Sequence, residues 1–396
     1  MPAEPAQRRL LPALQILAIW AAGLGAAAQF GKISLAYGRF AAAYPGQGPV
    51  AMGFMVSIVG LVGLALGTTA GLLVERAGLR RTLIAGLLLG AVLSALEAFL
   101  PPYPVMMALR AAEGLSQLAI VVAGPVLIAQ IAPLRWQGLA MSLWATFFGV
   151  SFALTALVVP GILALGGLQA LLLAHAGWLT FFAMLLWPML PADARGGRAL
   201  RLVELPGLHA AIYRSPSVAA PAAGFVFYTV TYVALLTLLP PLAGAGREAV
   251  AFALPLVSII ASLSLGVWLI RRVGAVRVVQ GGFALGLLAV LAMRVFWGEP
   301  GVAFGAILVL GAALGLVQGA SFAAIPELNA APEDRARAAG AVAQLGNLGT
   351  ASGTPILAAL IAGLGINGAV VFVAPLCVAG IAMHAWMAAR RRRSAV

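Results

Sequence analysis

The sequence predicts an all-α membrane protein in which twelve transmembrane helices form two six-helix bundles. The first observation is composition, because 63% of the 396 residues are hydrophobic and only 9% are charged. A chain with so few charged side chains has too little polar surface to be soluble. Within lipid the backbone has to satisfy its own hydrogen bonds, which favours helices, and the short alternating segments of an outer-membrane barrel are absent from the sequence.

The second observation is a series of apolar runs, each near the roughly 20 residues that a helix needs to cross a bilayer. Short polar loops separate the runs and set the predicted boundaries. The twelve predicted spans are 11–37, 49–71, 82–100, 104–131, 139–162, 168–190, 217–241, 249–270, 277–297, 301–325, 339–363 and 368–389.

The third observation is the distribution of arginine. Placing both termini and the even-numbered loops in the cytoplasm collects most arginines there, whereas the opposite side keeps Arg39 and Arg247, with Arg294 near a helix end. Because cytoplasmic loops of membrane proteins are rich in basic residues, we expect both termini to be cytoplasmic. The net charge of +13 then reflects this bias and an attraction to anionic lipid. We therefore expect membrane lipid, and not nucleic acid, as a partner.

The longest polar stretch divides the chain into two halves. We predict an N-terminal six-helix bundle over 1–190, a cytoplasmic linker over 191–216 and a C-terminal six-helix bundle over 217–396. Gly114-Leu115-Ser116-Gln117 in the first half recurs as Gly315-Leu316-Val317-Gln318 in the second. Such a repeat is what a transporter needs if two bundles rock about a site between them.

The segment between spans 2 and 3, Gly71-Leu72-Leu73-Val74-Glu75-Arg76-Ala77-Gly78-Leu79-Arg80-Arg81, holds one carboxylate and three guanidinium groups in a short turn. Gly78 fits a tight reversal because it has no Cβ and accepts positive φ. Glu75 ends the incoming helix, where the helix dipole disfavours a carboxylate, so the flanking arginines are its expected partners. The segment resembles the loop between helices 2 and 3 of the major facilitator superfamily, Gly-x-Leu-x-Asp-x-x-Gly-x-Arg-Arg/Lys, with Glu75 in place of the usual Asp.

This resemblance implies the major facilitator fold and transport by alternating access. It also implies that the loop acts as a cytoplasmic latch, whose ion pairs hold the outward-open state and break in the inward-open state. The predicted gate residues are Gly71, Glu75, Gly78, Arg80 and Arg81.

Three ionisable side chains stand out at membrane depth: Lys32 in span 1, and Arg110 and Glu113 in span 4. A charge at membrane depth costs at least about 2.5–3.5 kcal/mol and needs a partner or water. Arg110-x-x-x-Gly114 resembles the span-4 motif of the superfamily, in which the arginine is linked to proton coupling. We expect a Lys32–Glu113–Arg110 cluster facing the transport path. In the alternative, Arg110 and Glu113 only neutralise each other at i, i+3 and Lys32 snorkels outward.

Neutral polar and aromatic side chains at helical spacing complete the predicted substrate site. Together they describe a cavity with flat aromatic walls and hydrogen-bonding groups, with its charge confined to the N-terminal half. Such a cavity suits a planar, polyhydroxylated or weakly charged organic molecule. Besides the three charged residues, the predicted substrate-binding residues are Gln29, Gln117, Trp144, Phe147, Tyr228, Tyr232, Gln344 and Asn347.

Energy coupling is assigned to Glu113, which lies beside Arg110 and Lys32. Two other acids, Glu97 and Glu327, are placed at helix ends by the predicted boundaries and are therefore not expected at depth. If the cluster separates during transport, Glu113 takes up a proton in one state and releases it in the other. If the cluster stays locked, it is structural.

A narrower resemblance is carried best by residues 135–150, Arg-Trp-Gln-Gly-Leu-Ala-Met-Ser-Leu-Trp-Ala-Thr-Phe-Phe-Gly-Val. It is similar to a proteobacterial branch of the superfamily that contains copper importers for respiratory oxidase assembly and riboflavin importers, which implies the bacterial inner membrane. The copper branch uses Met and His in spans 7 and 8, where soft ligands suit Cu(I), but residues 217–270 contain neither. Riboflavin or a related flavin is therefore the favoured substrate, and Cu(I) is the alternative.

Several other functions are disfavoured by what the sequence lacks. There is no Gly-x-x-x-x-Gly-Lys phosphate loop, so ATP is not the expected energy source, and Cys377 is the single cysteine. Span 5 lacks the Gly-x-x-x-Gly-Pro pattern of drug antiporters, which leaves proton-driven drug or metabolite export, and a sensor that has lost transport, as weaker alternatives. We expect no enzymatic activity, no cofactor and no resident metal, and we predict a monomer.

Overall fold

The computed structural model describes residues 6–193 and 205–394, which are helical almost throughout. The N-terminal part contains eight helices. They are α1 (Ala6–Leu35), α2 (Tyr37–Ala43), α3 (Pro49–Ser57), α4 (Gly60–Ala77), α5 (Leu79–Glu97), α6 (Tyr103–Ile131), α7 (Gln137–Ala145) and α8 (Phe147–Met189). Within these ranges, the structure does not describe the side chains of residues 6–10, 68–73, 75, 76, 205, 206, 208, 209, 332 and 394.

The C-terminal part contains a further eight helices, with a π-helical segment at Ser262–Gly266 between two of them. They are α9 (Leu205–Arg214), α10 (Pro216–Leu242), α11 (Arg247–Ala261), α12 (Val267–Val273), α13 (Ala275–Val295), α14 (Pro300–Leu328), α15 (Pro332–Leu364) and α16 (Ile366–Ser394).

Ten segments among the described residues are long and apolar enough to cross a membrane, and α3 with the start of α4, bent by 54°, makes an eleventh. Helix α8 has 43 residues and is interrupted by non-helical backbone at Gly166 and Gly167. At 1.5 Å per residue it is about twice the roughly 30 Å of a hydrocarbon core. Counting its two halves as separate spans gives twelve. The predicted all-α membrane fold is confirmed, and the break falls between predicted spans 139–162 and 168–190.

The helices form two compact units. Unit 1 contains Met1–Ala43 and Thr69–Leu200, and unit 2 contains Tyr44–Thr68 and Arg201–Val396. The segment with α3 belongs to unit 2 because it packs against α15, where Ser57 Oγ donates a hydrogen bond to the Ala351 carbonyl at 2.9 Å. The division into 1–190, 191–216 and 217–396 remains a prediction, and most of the linker lies outside the described residues.

Helices in unit 2 approach each other closely at glycine. Gly315 of α14 faces the backbone of α11, and a Cβ on it would lie 2.8 Å from Ser258 Cα, closer than real Cβ contacts. Small residues at helix interfaces of membrane proteins allow this approach, which replaces the missing hydrophobic drive with van der Waals contact. The repeated Gly315-Leu316-Val317-Gln318 segment therefore includes a packing position.

We expect Gly315→Ala to destabilise the protein by about 1–3 kcal/mol, because the added methyl group has to push α14 away from α11. Gly305 lies on the same helix. Apart from its own helical turn, no atom of the described residues lies within 4 Å of the position that a Cβ would take there, so Gly305→Ala is the matched control. The thermal unfolding midpoint of the detergent-solubilised protein should fall for the first variant only. Equal midpoints for the two variants would contradict the predicted close packing.

Candidate functional site

Four helices of unit 1 bring ionisable side chains to one buried point. Lys32 of α1 is only 1% exposed, and its Nζ lies 2.7 Å from Glu97 Oε2 of α5 and 2.7 Å from Glu113 Oε1 of α6. Nζ also lies 3.0 Å from Ser94 Oγ of α5. A single ammonium group thus bridges two carboxylates.

Arg110 of α6 supplies the second cation. Its Nη1 pairs with Glu113 Oε2 and lies 3.8 Å from Glu97 Oε1, and its Nη2 donates a hydrogen bond to the Gln29 carbonyl at 2.7 Å. We name Lys32, Glu97, Arg110 and Glu113 the charge cluster. With both carboxylates ionised, the cluster has two positive and two negative charges, which is the balance that buried ions need.

His175 of α8 lies against the same point. Its Nε2 is 2.9 Å from the Gly25 carbonyl oxygen, and its Nδ1 is 2.9 Å from Ser94 Oγ and 3.4 Å from Lys32 Nζ. The second half of α8 thereby joins α1, α5 and α6 at the charge cluster.

Two amide side chains, Gln29 of α1 and Gln117 of α6, lie close in sequence to Lys32 and Glu113. Gln29 Nε2 donates to Ser116 Oγ at 2.8 Å, and Ser116 Oγ donates to the Gly86 carbonyl at 2.7 Å. The Oε1 atoms of Gln29 and Gln117 are buried without a hydrogen-bond partner among the described residues. Because buried polar atoms are nearly always partnered, these two acceptors are suited to a donor group from outside the protein.

The sequence placed Lys32, Arg110 and Glu113 together, and the structure brings the three side chains into contact. Glu97 was expected at a helix end and therefore not at depth. It is the last residue of α5, as expected, but its side chain is fully buried and paired with Lys32, so the expectation that it is not embedded was wrong. His175 was missed because a single histidine in an apolar run has no recognisable motif.

The predicted aromatic residues of unit 1 are part of its packing. The Trp144 ring is 8% exposed and fills the space beside Gly23, where a Cβ would lie 2.8 Å from it. Phe147 stacks on Trp144 at 4.8 Å between ring centroids, with 23° between the planes, and is half-buried. Of the two, Phe147 has the more accessible ring.

In unit 2, Tyr228 and Tyr232 of α10 stack on each other at 5.0 Å between ring centroids and are both buried. Phe225 extends the stack, 5.2 Å from Tyr228. The three rings therefore form an aromatic column along about two turns of α10.

The two predicted amides of α15 have partners within unit 2. Gln344 accepts a hydrogen bond from the Tyr213 hydroxyl at 2.8 Å and donates to the Leu64 carbonyl at 3.2 Å. Burial raises the pKa of Tyr213, so its hydroxyl stays a donor at physiological pH. Asn347 donates to the Ala343 carbonyl at 2.8 Å. These contacts favour a packing role for both amides.

The predicted gate contains a glycine in the expected conformation. Gly78 has φ of +94° and joins α4 to α5. The Asp193 carboxylate lies against it and accepts hydrogen bonds from the backbone N–H groups of Arg80 at 2.8 Å and Arg81 at 3.1 Å. Asp193, which sequence reasoning missed, thus caps the first turn of α5. The predicted roles of Gly71 and Glu75 lie outside the described residues, because side-chain placement there is not described.

Arg80 is also held by its side chain. Its guanidinium lies 4.5 Å from the centroid of the Trp187 ring, and its Nη2 donates to the Trp187 carbonyl at 2.6 Å. Arg80, a predicted gate residue, therefore contacts the C-terminal end of α8, and the capping residue Asp193 lies shortly after that end.

The other unit repeats this arrangement. Gly274 joins α12 to α13 with φ of +87°, and Glu327 Oε2 accepts a hydrogen bond from the Ala275 N–H at 2.6 Å. Residues 271–277 therefore have the same glycine conformation and the same type of cap as the turn at Gly78.

Comparison with known proteins agrees with this architecture. The sequence profile of the Major Facilitator Superfamily matches residues 15–330. A crystal structure of a bacterial homologue of the human lysosomal transporter Spinster, in an inward-facing and unoccupied conformation, is similar with a TM-score of 0.73 and 12% identity, covering 98% of this chain and 96% of that one. At this identity the similarity shows the fold alone. No curated protein matches the chain in sequence.

We expect Asp193→Ala to loosen the first turn of α5, because it removes the acceptor for two amides that no intrahelical bond satisfies. Loss of an N-terminal cap is worth about 0.5–2 kcal/mol, which corresponds to roughly two- to thirtyfold faster hydrogen exchange of the Arg80 and Arg81 amides. Exchange mass spectrometry of the solubilised protein measures this change. Asp334→Ala, which removes a carboxylate paired with Arg337 on α15, should leave α5 unaffected. Unchanged exchange in Asp193→Ala would contradict the capping role.

Proposed function

This chain belongs to the Major Facilitator Superfamily, and from that premise we propose that it is a proton-coupled importer of a small organic nutrient. The coarse activity follows from the family: the chain is a membrane transporter that works by alternating access, and it is not an enzyme. The coupling ion, the direction and the substrate are our proposals. We place energy coupling at the charge cluster of unit 1 and take riboflavin or a related flavin as the substrate.

The coupling proposal is based on the burial of the charge cluster. Replacing buried ion pairs by apolar side chains of similar volume is often neutral or stabilising, so four buried charges are not needed for folding alone. Protonating Glu113 would remove one of the two anions that hold Lys32 at 2.7 Å and leave the cluster with an excess positive charge. A change in protonation therefore changes which ion pairs exist, and a conformational equilibrium that depends on those pairs responds to the proton.

The substrate proposal rests on neutral groups. In unit 1, Phe147 is half-buried and offers a flat apolar face, and the open Oε1 atoms of Gln29 and Gln117 accept hydrogen bonds. A flavin has a planar ring system and a hydroxylated chain, which suit both kinds of group. The imported molecule would be recognised by stacking and by hydrogen-bond donation.

The alternatives have less support. For Cu(I) import, His384 and Met387 share a face of α16, but the His384 ring packs against Gly224 and Met387 packs against Ala219 and Ala220. Among the described residues no group of three or more His, Cys, Asp or Glu side chains is placed to hold a metal ion. Export of a drug or metabolite differs from import in direction, and the uptake experiment below separates them.

We expect expression of this protein to support growth of a riboflavin-auxotrophic bacterium at limiting riboflavin. Phe147→Ala should weaken flavin binding by about 1 kcal/mol, roughly fivefold, if the ring stacks on the substrate. Phe99, which is 82% exposed, provides the control Phe99→Ala. Binding is followed by tryptophan fluorescence with flavin and, separately, with Cu(I). A response to Cu(I) but not to flavin would overturn the flavin proposal in favour of the metal, and loss of cell flavin on expression would indicate export.

We expect Glu113→Gln to abolish concentrative uptake while preserving exchange, because the amide keeps the shape of the side chain and cannot titrate. Proteoliposomes separate the two activities: counterflow measures exchange at equal concentrations, and an imposed pH gradient measures accumulation. Glu333→Gln, at an exposed position of α15, is the control. Accumulation equal to wild type with the same pH dependence would exclude Glu113 as the proton carrier.

A further inference from the structure

We propose that His175 is a positioning residue of the charge cluster, whose neutral imidazole fixes the Lys32 ammonium between the two carboxylates through Ser94. The proposal deepens the proposed function, since it rests on the charge cluster being the coupling centre. It concerns a side chain that neither the family similarity nor the sequence motifs assign. It is based on the two ring nitrogens of His175 and on the atoms within hydrogen-bonding distance of each.

The Gly25 carbonyl determines the tautomer. A carbonyl oxygen only accepts hydrogen bonds, and it lies 2.9 Å from His175 Nε2, so Nε2 carries a proton. In a neutral imidazole the other nitrogen then has the lone pair. His175 Nδ1 is therefore an acceptor that points at Ser94 Oγ and at Lys32 Nζ.

The Lys32 ammonium has three protons to place. Two of them go to Glu97 and Glu113, each at 2.7 Å, and Ser94 Oγ at 3.0 Å takes the third. The single Ser94 hydroxyl proton faces two acceptors, His175 Nδ1 and the Leu172 carbonyl, each at 2.9 Å, and the Nδ1 acceptor shares it. The result is a directed chain of donors from Lys32 through Ser94 and His175 to the Gly25 carbonyl, in which every proton has an acceptor.

The neutral form of the ring is also the one that the surrounding charges favour. The charged groups that face this region are Lys32 from α1, Glu97 from α5, and Arg110 and Glu113 from α6, and they already balance. An imidazolium 3.4 Å from the ammonium would add an unbalanced positive charge at a buried site. A neutral acceptor adds a directional hydrogen bond and leaves the charge balance unchanged.

Positioning matters when Glu113 takes up a proton. Lys32 then keeps Glu97 and the Ser94–His175 chain as its remaining partners, so the ammonium stays at the centre of the cluster. When Glu113 loses the proton again, its partner is in place. Without the Nδ1 acceptor, Ser94 would donate its proton only to the Leu172 carbonyl, 2.9 Å away. Lys32 and Ser94 would then no longer be connected by hydrogen bonds to the Gly25 carbonyl.

The first test is independent of any substrate. The chain has 3 histidines, so selective ¹⁵N labelling of histidine gives few signals, and the His175 signal is assigned by its loss in His175→Asn. We expect the neutral tautomer with hydrogen on Nε2 throughout roughly pH 5–8, a range within which free histidine titrates. A signal of the opposite tautomer, or titration to imidazolium within this range, would overturn the proposal.

The second test uses two substitutions that each keep one half of the imidazole. His175→Asn keeps a polar atom near the Nδ1 position and loses the contact with Gly25, whereas His175→Gln reaches toward Gly25 and loses the Nδ1 acceptor. We expect His175→Asn to retain most proton-driven accumulation and His175→Gln to reduce it roughly tenfold or more, as for hydrogen bonds to charged groups, and to shift its pH profile. Equal effects of the two variants, in either direction, would overturn the positioning role.

The two proposals fail in different ways. If Glu113→Gln accumulates substrate like wild type, the coupling proposal fails while the tautomer measurement still decides the state of His175. If wild type does not accumulate flavin, the substrate proposal fails, and the tautomer decides the positioning proposal alone. Thermal midpoints of both His175 variants, compared with wild type, show whether a loss of accumulation follows from unfolding, since a purely structural role would lower both together.

Discussion

The bridge formed by the Lys32 ammonium between Glu97 and Glu113 is the interaction on which the rest of unit 1 depends. Removing one partner of a buried ion pair costs about 3–5 kcal/mol, because the other charge is left uncompensated. Here one cation serves two anions from two helices, and Arg110 serves the same two anions from the other side. Helices α1, α5 and α6 are therefore held in one arrangement for as long as both acids are ionised, and a proton on either acid relaxes that constraint.

The two units use different physics to hold their helices together. Among the described residues, every buried charged side chain belongs to unit 1, whereas the buried polar side chains of unit 2 are hydroxyls, an amide and a histidine. Unit 2 instead has close backbone contacts at glycine, as between Gly315 and Ser258. Steric packing of this kind does not respond to pH, whereas the ion pairs of unit 1 depend on the ionisation of Glu97 and Glu113. The two units are therefore stabilised by different kinds of interaction.

The sequence could predict features that depend on residues close together in the chain, and it could not predict features that depend on residues far apart in the chain. Arg110 and Glu113 are three residues apart in an apolar helix, so their depth and shared face follow from local spacing. Glu97 ends its helix, and its burial depends on how α5 meets α1, which local spacing does not contain. His175 is 150 residues from the carbonyl that fixes its tautomer and 81 from the hydroxyl at its other nitrogen. Such partners become visible only once the chain is folded.

The amides of α15 show a limit of arguments from burial. Two amides on one helical face were interpreted as groups held for a ligand, because an amide without a partner is expensive to bury. In the structure, Gln344 accepts from the Tyr213 hydroxyl and donates to the Leu64 carbonyl, and Asn347 donates to the Ala343 carbonyl. Burial alone does not distinguish a ligand from a neighbouring group of the protein, and substrate binding by these amides stays a prediction.

The helix caps at Gly78 and Gly274 show what the two halves of the internal repeat share in physical terms. Both glycines have positive φ and are followed by a helix whose first N–H groups face a carboxylate. The carboxylates are not equivalent in the repeat, since Asp193 follows α8 whereas Glu327 lies near the end of α14. In both units, unsatisfied amides at a helix N-terminus, which carries a partial positive charge, contact an anion. Different parts of the chain supply the anion in the two units. In unit 1, Asp193 holds the backbone of Arg80 and Arg81, two predicted gate residues, at a turn whose conformation recurs in unit 2.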